Sequence, residues 1–568
     1  MKPNGNPSTR FTAESLAVIC KIGVGSQGQG EEISIRPVVR VTRMVPILNI
    51  ELKRQLSHSK HLKAKEILIE LMNLLNLLAG DDEHPALVAP DRPPLTYRQL
   101  RQNVVELAAQ LNRFGLGRGE RIAVVMPNGP AMVLTFLASA LCGTAAPLNP
   151  KYKQEEFAFY YEDTQAKALI TLPGTVELAI AAATPDMMLI SANTNADGTL
   201  RFELVRGGQT PRPVELAEAD DVAMILHTSG TTSRPKRVPI RHRNLIASAH
   251  NIISAYSLTA NDTTPCIMPL FHIHGLVGCM LSTLASGGTL ICPAGFNALE
   301  FWKLIDTFKA TWYSAAPTMH QLIVARATRN SEIVKANPFR FIRTSSAPLP
   351  LVVLEQMEAT FSCPVLESFS MTEAAHLMAS NPLPPKVRKP GTVGYGFGVQ
   401  IGIMDESGTL LEQGNLGEVV VKGANVIDGY ENNPEANTKA FVNGWFRTGD
   451  QGRLDEDGYL CLTGRIKELI NRGGEKISPV EVDNVLLRHP AVAEALSFAV
   501  PHKSLGEDIE AAVVLRSEVS EQELRSHCST LLAEFKVPRQ FHILDELPRG
   551  ATGKLQRLNM AKLLNITG

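Results

Sequence analysis

The sequence predicts an α/β chain with a large N-terminal domain of parallel-type sheets flanked by helices. A β-rich subdomain and then a small α+β C-terminal domain complete it. Three observations predict this. Short apolar strands alternate with helical periodicities through most of the chain, the pattern of parallel sheets covered by helices. Between about residues 390 and 465 the texture changes to short strands cut by glycine-containing turns (VGYGFGVQIGIM, NLGEVVVKG, GYLCLTG). From about residue 466 a fresh set of capping signals opens another run of helices and strands. The chain has 568 residues, more than one hydrophobic core accommodates. The expected division is a basic, poorly ordered extension over 1–66, a large domain over 67–465 and a small domain over 466–568.

The elements follow in order. Thr96 and Gln99 form a capping box, Tyr97, Leu100, Val104, Leu107 and Leu111 repeat at helical spacing, and Gly115 is a stop. The strand IAVVM (122–126), a turn at Pro127-Asn128-Gly129 and an apolar helix from Ala131 come next. Further strands are expected at 166–172, 222–226, 288–293 and 339–344, and ATWYSAAP should run from strand into helix over 310–325. In the tail, Ser478-Pro479-Val480-Glu481 places an N-cap, a helix-opening proline and a capping glutamate in register. A helix to Leu487, the strands AEALSFAV and IEAAVVL, a helix from Glu521 to Phe535 and the loop PRGATGKLQR then complete the chain.

Composition excludes several classes. The chain is 44% hydrophobic and 20% charged with net charge −1, so no global field recruits nucleic acid. Eight cysteines stand singly with no CxxC pair, which suits a reducing compartment and small buried apolar groups. The apolar stretches Ala131–Pro147 and Gly275–Gly295 are too short or too glycine-broken to cross a membrane. Residues 1–65 carry 11 Lys+Arg against 4 Asp+Glu, which leaves a transit peptide or a misassigned start open. The terminus NITG is not an SKL-type address; the expected location is the cytoplasm, with an organelle or the peroxisome as alternatives. Oligomeric state is not legible.

The most informative stretch is HTSGTTSRPKRV, residues 227–238, which follows the strand VAMIL. Hydroxyls and freed backbone N–H groups donate to phosphate oxygens, glycine lets the backbone approach, and lysine adds a point charge. It is not a Walker loop, since GxxxxGK[ST] is absent.

TSGTTSRPK resembles the signature of the adenylate-forming superfamily, which comprises acyl-CoA synthetases, carrier-protein-loading adenylation domains and luciferases. PLFHIHG, SSAPLP, SFSMTEAAH, GWFRTGD, GRIKELINRGGEKISPVEVD and PRGATGKLQR follow in the family's order, so the resemblance covers about residues 67–565. It implies two half-reactions. A carboxylate attacks the α-phosphorus of Mg-ATP to give an acyl-adenylate and pyrophosphate; the thiol of CoA then displaces AMP. ATP, Mg2+ and CoA are the implied cofactors and cosubstrates, and a small carboxylic acid is the remaining partner.

The resemblance also implies roles. Thr228, Ser229, Gly230, Thr231, Thr232 and Lys236 should hold the β- and γ-phosphates. Thr372 and Glu373 should take the α-phosphate and magnesium respectively; Asp450, assisted by Arg465, the ribose. Ser346, Ala347, Pro348, Glu367, Ser368 and Phe369 should line the adenine. Lys554 is the implied catalytic cation bridging carboxylate and α-phosphate, and Lys467 the hinge on which a mobile small domain swings. Gly473 and Gly474 should admit the CoA arm. His272 and His274, read as a strand, would face one side; a metal pair is conceivable but pocket wall is preferred.

The acid is indicated by polarity. The expected acyl pocket offers His272, His274, Ser345, Ser370 and His376, whereas fatty or aryl acids want apolar lining. Of these, His272, Ser345 and His376 are the candidate substrate residues. HTSGTTSRPK, with Ser233 where glycine is commoner, and MTEAAHLMASNPLP look most like the oxalate–CoA ligase branch. The alternatives are a 4-coumarate, aryl or medium-chain ligase, a luciferase-type oxidase and, of another class, a carrier-directed or non-catalytic module. Phe369 and Ser370 stand where Tyr and Gly are common. Arg237 is a larger departure, standing where the family usually has glycine. It would add a second phosphate cation, lie in solvent, or crowd the site.

Overall fold

The computed structural model describes residues 72–90, 92–208, 210–228, 235–549 and 555–566. The extension over 1–66, the phosphate-loop residues Ser229, Gly230, Thr231, Thr232 and Ser233, and Lys554 lie outside the described residues.

Among the described residues the chain forms five sheets. The largest runs, in spatial order, Leu200–Arg206, Met188–Thr194, Ala168–Thr171, Arg121–Val124, Thr144–Pro147, Val222–Thr228, Lys236–Arg241. Its centre is parallel and both edges are antiparallel. A second sheet carries Trp312–Ala315, Phe341–Thr344 and Val365–Met371 in parallel, then turns antiparallel through His376–Ser380 and Tyr395–Gly396. A four-stranded sheet (Pro85–Val88, Leu95–Thr96, Thr263–Pro265, Thr289–Ile291) lies beside them. The glycine-rich region forms an antiparallel sheet of Val399–Met404, Gly417–Gly423, Phe441–Val442, Trp445–Leu454 and Leu460–Arg465. The smaller C-terminal domain has its own sheet, centred on Val492–His502 and Gly506–Leu515, and its own apolar core.

Local signals explain these elements. The helix Tyr97–Arg113 opens on the expected box: Gln99 N donates to Thr96 Oγ at 3.3 Å, and Thr96 N to Gln99 Oε1 at 2.9 Å. It buries Leu100, Val104, Leu107 and Leu111, and Gly115, at φ +99°, ends it. The helix Pro130–Cys142 is buried on all sides from Ala131 onward, wedged against its neighbour, which is why that stretch is apolar without periodicity. Ser478 caps Pro479–Leu486 with Pro479 in the first turn.

Several elements depart from the sequence expectation. The helix opening at Glu521 ends at Leu531, short of Phe535, because Leu532 turns extended toward the strand Phe541–Ile543. The hairpin Met188–Arg206, the helix His242–Tyr256 and the short helix Pro434–Ala440 went unread. Both strands of the hairpin alternate more and less buried residues, and Asp197-Gly198 lies in its turn, so that signal was present in the sequence. His274 opens wide helical turns over His274–Leu281, so the HxH pair is not on a strand. The seven described cysteines are free, and only Cys461 is not buried. No helix among the described residues is long and apolar enough to cross a membrane.

Candidate active site

Candidate site residues gather where parallel strands end, the usual place for a ligand crevice in an open α/β sheet. Thr228 ends Val222–Thr228 and pairs with Lys236 on the returning strand. Ser345 and Ser346 follow Phe341–Thr344, and Thr372-Glu373 follow Val365–Met371 in one tight turn. Side-chain amides hold these segments. Asn128, from the Pro-Asn-Gly turn, donates to the Met268 carbonyl and accepts from Leu270 N, both at 2.9 Å. Asn425 donates to the carbonyls of Ala374 and Leu377, at 2.7 and 2.9 Å, on both sides of the Thr-Glu turn.

Glu373 is buried, and Tyr430 donates its hydroxyl to Oε1 at 2.9 Å. Lys236 Nζ lies 4.2 Å above the Tyr430 ring. Burial lowers the proton affinity of Lys236; Glu373 opposes the shift and the Lys467 cation adds to it. Lysine, tyrosine, glutamate and the hinge-segment lysine therefore share one neighbourhood. Asp450 pairs across two strands with Arg465, whose Nε lies 3.0 Å from Oδ1. Ala347 and Pro348 are exposed and Ser346 half-buried, so this segment forms an open wall. Ser346 adopts φ +75°.

Two expected contacts take other partners. Ser368 sends its hydroxyl to the Thr344 carbonyl at 2.9 Å and accepts from Arg343, so its side chain serves the pocket floor. Gly473 and Gly474, at φ +62° and +100°, are the two turn residues of the hairpin Ile470–Ile477. That turn type requires left-handed backbone whatever else the glycines do.

Glu367 is buried, and Gly391 N donates to its Oε2 at 3.0 Å. Burial pushes its carboxyl from the ordinary 4.5 up to about 7. The folded state therefore holds a proton between about pH 4.5 and 7 that the unfolded state has lost. Stability is full below that window and falls as pH rises through it, by on the order of 3 kcal/mol. Glu367→Gln, whose amide oxygen still accepts from Gly391, is expected to abolish this loss. Urea melts at pH 5 and pH 8 check it; an unchanged pH dependence in the variant would overturn it.

The acyl side is polar and dry. His274 is fully buried with Nδ1 2.9 Å from Ser346 Oγ and Nε2 2.7 Å from Ser314 Oγ, so both ring nitrogens are engaged and pocket wall, not metal pair, is its place. His376 stacks on it at 5.1 Å, at φ +111°, a conformation that only a demanding environment maintains. Gly278 is required here: a Cβ would stand 2.5 Å from His376 Nε2. Ser345 and Ser370 share a hydrogen bond at 2.9 Å. His272 Nδ1 accepts from His274 N at 3.2 Å.

At the centre lies Arg343, which the sequence reading passed over. It is fully buried, and its partners are neutral: the Ser368 hydroxyl at 3.2 Å, the Gly278 carbonyl at 3.4 Å and His376 Nε2. Among the described residues no carboxylate pairs with it. Donation to His376 Nε2 leaves the proton of that ring on Nδ1, which is buried without a partner among the described residues. Burial first, then Arg343 and the neighbouring histidines, hold both His376 and His274 well below the usual histidine range, so both are neutral at pH 7. The available signal was Arg343 inside the otherwise uncharged strand FIRT, directly before SSAPLP.

The family model "AMP-binding enzyme" matches residues 78–431, and "AMP-binding enzyme C-terminal domain" matches 481–554. The chain is 42% identical to an oxalate–CoA ligase of Arabidopsis thaliana over 515 residues, covering 85% of this chain and 98% of that protein. It is 39% identical to an oxalate–CoA ligase of Saccharomyces cerevisiae, covering 84% and 94%. Among solved structures, ATP-bound MatB from Rhodopseudomonas palustris superposes with TM-score 0.77 at 29% identity, covering 87% of this chain and 99% of that one. The chain belongs to the AMP-binding enzyme family. Within it, the chain is an acid–thiol ligase of the AMP-forming kind, using ATP with magnesium and CoA as cosubstrate.

Magnesium fits the residues present. Among the described residues no three His, Cys, Asp or Glu side chains converge to cage a metal, whereas one buried carboxylate, Glu373, lies beside Lys236. Magnesium keeps waters and phosphate oxygens in its shell and needs only one or two carboxylates.

Proposed function

We propose that the chain joins oxalate to CoA: oxalate, ATP and CoA give oxalyl-CoA, AMP and pyrophosphate. One observation carries the choice of acid. Arg343 is a fully buried guanidinium with no carboxylate partner among the described residues, beside the orphan Nδ1–H of His376. A buried unpaired charge costs several kcal/mol unless something neutralises it. A second carboxylate would supply the counter-charge that Arg343 lacks among the described residues; a fatty or aryl tail would not. The two oxalate–CoA ligase relatives support the same reading, and the sulfoacetate–CoA ligase of Cupriavidus necator, 34% identical, is a relative named for another small dianion.

In the first half-reaction one carboxylate oxygen attacks the α-phosphorus and pyrophosphate leaves. Arg343, His376 and Ser345 hold the other carboxylate, which positions the attacking oxygen. Thr228, the residues at 229–232 and Lys236 would hold the β- and γ-phosphates. Thr372 faces the α-phosphate, and Glu373 would hold the magnesium, whose charge offsets that building on the phosphates. Asp450 and Arg465 take the ribose, and Lys554 bridges carboxylate and α-phosphate. In the second half-reaction the small domain over 466–568 turns about Lys467, the CoA thiolate attacks the acyl carbon and AMP leaves.

Pyrophosphate release should be measured with oxalate, malonate, sulfoacetate, 4-coumarate and octanoate, each with and without CoA. Oxalate is expected to give the highest kcat/KM and octanoate almost none. Indifference to oxalate would sink the proposal.

A further inference from the structure

Arg237, which stands where the family usually has glycine, does none of the three things its sequence position suggested. Successive strand residues face opposite sides. Lys236 points over Tyr430, and Arg237 points away, into a half-buried charge cluster with Asp163 and Glu431. Its side chain is only 15% exposed. One guanidinium nitrogen donates to the Asp163 carbonyl, and Nε lies 3.7 Å from the Asp163 carboxylate and 3.6 Å from Glu431 Oε2. Glu431 also binds Arg121, and His227 Nε2 lies 3.0 Å from Asp163 Oδ2. Burial holds His227 below its usual range, so the ring is neutral and, among the described residues, two cations balance two carboxylates.

The cluster repeats, on the rear, a contact made on the front. Lys236 meets Tyr430 in front, and Arg237 meets Glu431 behind. The backbones are joined between them, with Glu431 N donating to the Arg237 carbonyl at 3.1 Å. Tyr430 in turn holds Glu373. We propose that Arg237 and Glu431 form a clamp that fixes Lys236 against the Tyr430–Glu373 pair, and so sets the spacing between the phosphate-loop lysine and the carboxylate assigned to magnesium. Neither residue touches substrate; both are positioning residues. The clamp couples two segments far apart in sequence that must sit at one distance from the same triphosphate. A glycine at 237 would leave Glu431 with Arg121 and Asp163 with the neutral His227 ring, and would tie the Tyr430 segment to the strand by the backbone bond without the side-chain contact.

This inference rests on the ATP-dependent reading of the site, and its test separates the two. Arg237→Gln, Glu431→Gln and the double variant should be compared for the KM of Mg-ATP, the KM of the acid and thermal stability. Each single variant is expected to raise the KM for Mg-ATP about tenfold, with the acid KM within about twofold, because one positioning contact is lost while the acyl pocket is untouched. The double variant is expected to be no worse than the worse single, as coupled neighbours behave. A lower melting temperature with an unchanged KM for Mg-ATP would make the cluster merely structural and overturn the proposal, as would simple additivity. Where Arg237→Gln is insoluble, Arg237→Lys decides. It keeps the charge but cannot reach both carboxylates, so a KM for Mg-ATP equal to the parent's would overturn the clamp. Lys236→Ala is the control: if it leaves the ATP requirement untouched, the reading of the site has failed, not the clamp alone.

Discussion

Arg343→Met is expected to lower kcat/KM for oxalate by roughly 100- to 1000-fold while raising the melting temperature of the free protein. Both effects follow from one fact: a fully buried guanidinium has only neutral partners among the described residues. In the free protein the charge is a burden: replacing even a buried ion pair by apolar side chains of similar volume is often neutral or stabilising by about 1–4 kcal/mol, and a lone buried charge lacks the pair's attraction. In the proposed complex the charge would face the spare carboxylate, and losing one partner of a buried, hydrogen-bonded charge pair costs about 2–5 kcal/mol. The opposite signs make the test demanding. Calorimetry and oxalate kinetics on the same preparation check it. A variant both less stable and less active would show Arg343 to be a structural prop. Arg343→Lys is expected to recover only part of the activity, since a point charge cannot serve His376, Ser368 and a carboxylate in one plane.

Glu373→Gln is expected to reduce kcat at least about 100-fold and to move the magnesium requirement upward. The amide still accepts from the Tyr430 hydroxyl, whose pKa burial pushes up so that it stays a donor. The tight turn Thr372–Ala374 should therefore persist, and the change removes one negative charge with little else. Preorganised charge around a reacting phosphate is commonly worth several kcal/mol, so its loss appears in kcat. Titrating magnesium at saturating ATP checks the assignment. A variant with the parent's magnesium dependence would move the metal to another group.

Much of the frame was readable because its signals are local. The capping box at Thr96 and Gln99, the helix-opening Pro479 and the glycine-cut strands after residue 390 each depend on a few neighbouring residues, and the structure uses them as read. The hairpin Met188–Arg206 went unread although its signals are local too: LRFELVR alternates and Asp197-Gly198 stands in the turn. The strand premise for the HxH pair did not hold: side-chain direction depends on whether the backbone is strand or helix, and His274 opens helical turns in buried packing.

The chain's own order of residues specified which chemical groups exist and roughly where the chain turns: a hydroxyl-rich loop ahead of Lys236, a Thr-Glu pair, an Asp-Arg strand pair, a polar acyl wall. These are short-range patterns, and each carries its chemistry in its composition. What those groups do to one another waited for folding. Only the packed sheets bury Arg343 without a counter-anion among the described residues, turn His376 Nδ1 toward no described partner, and send Arg237 to Asp163 and Glu431. The physical reason is that charge energetics depend on solvent exclusion and on through-space partners. Asp163 stands 74 residues from Arg237, so no local window holds both.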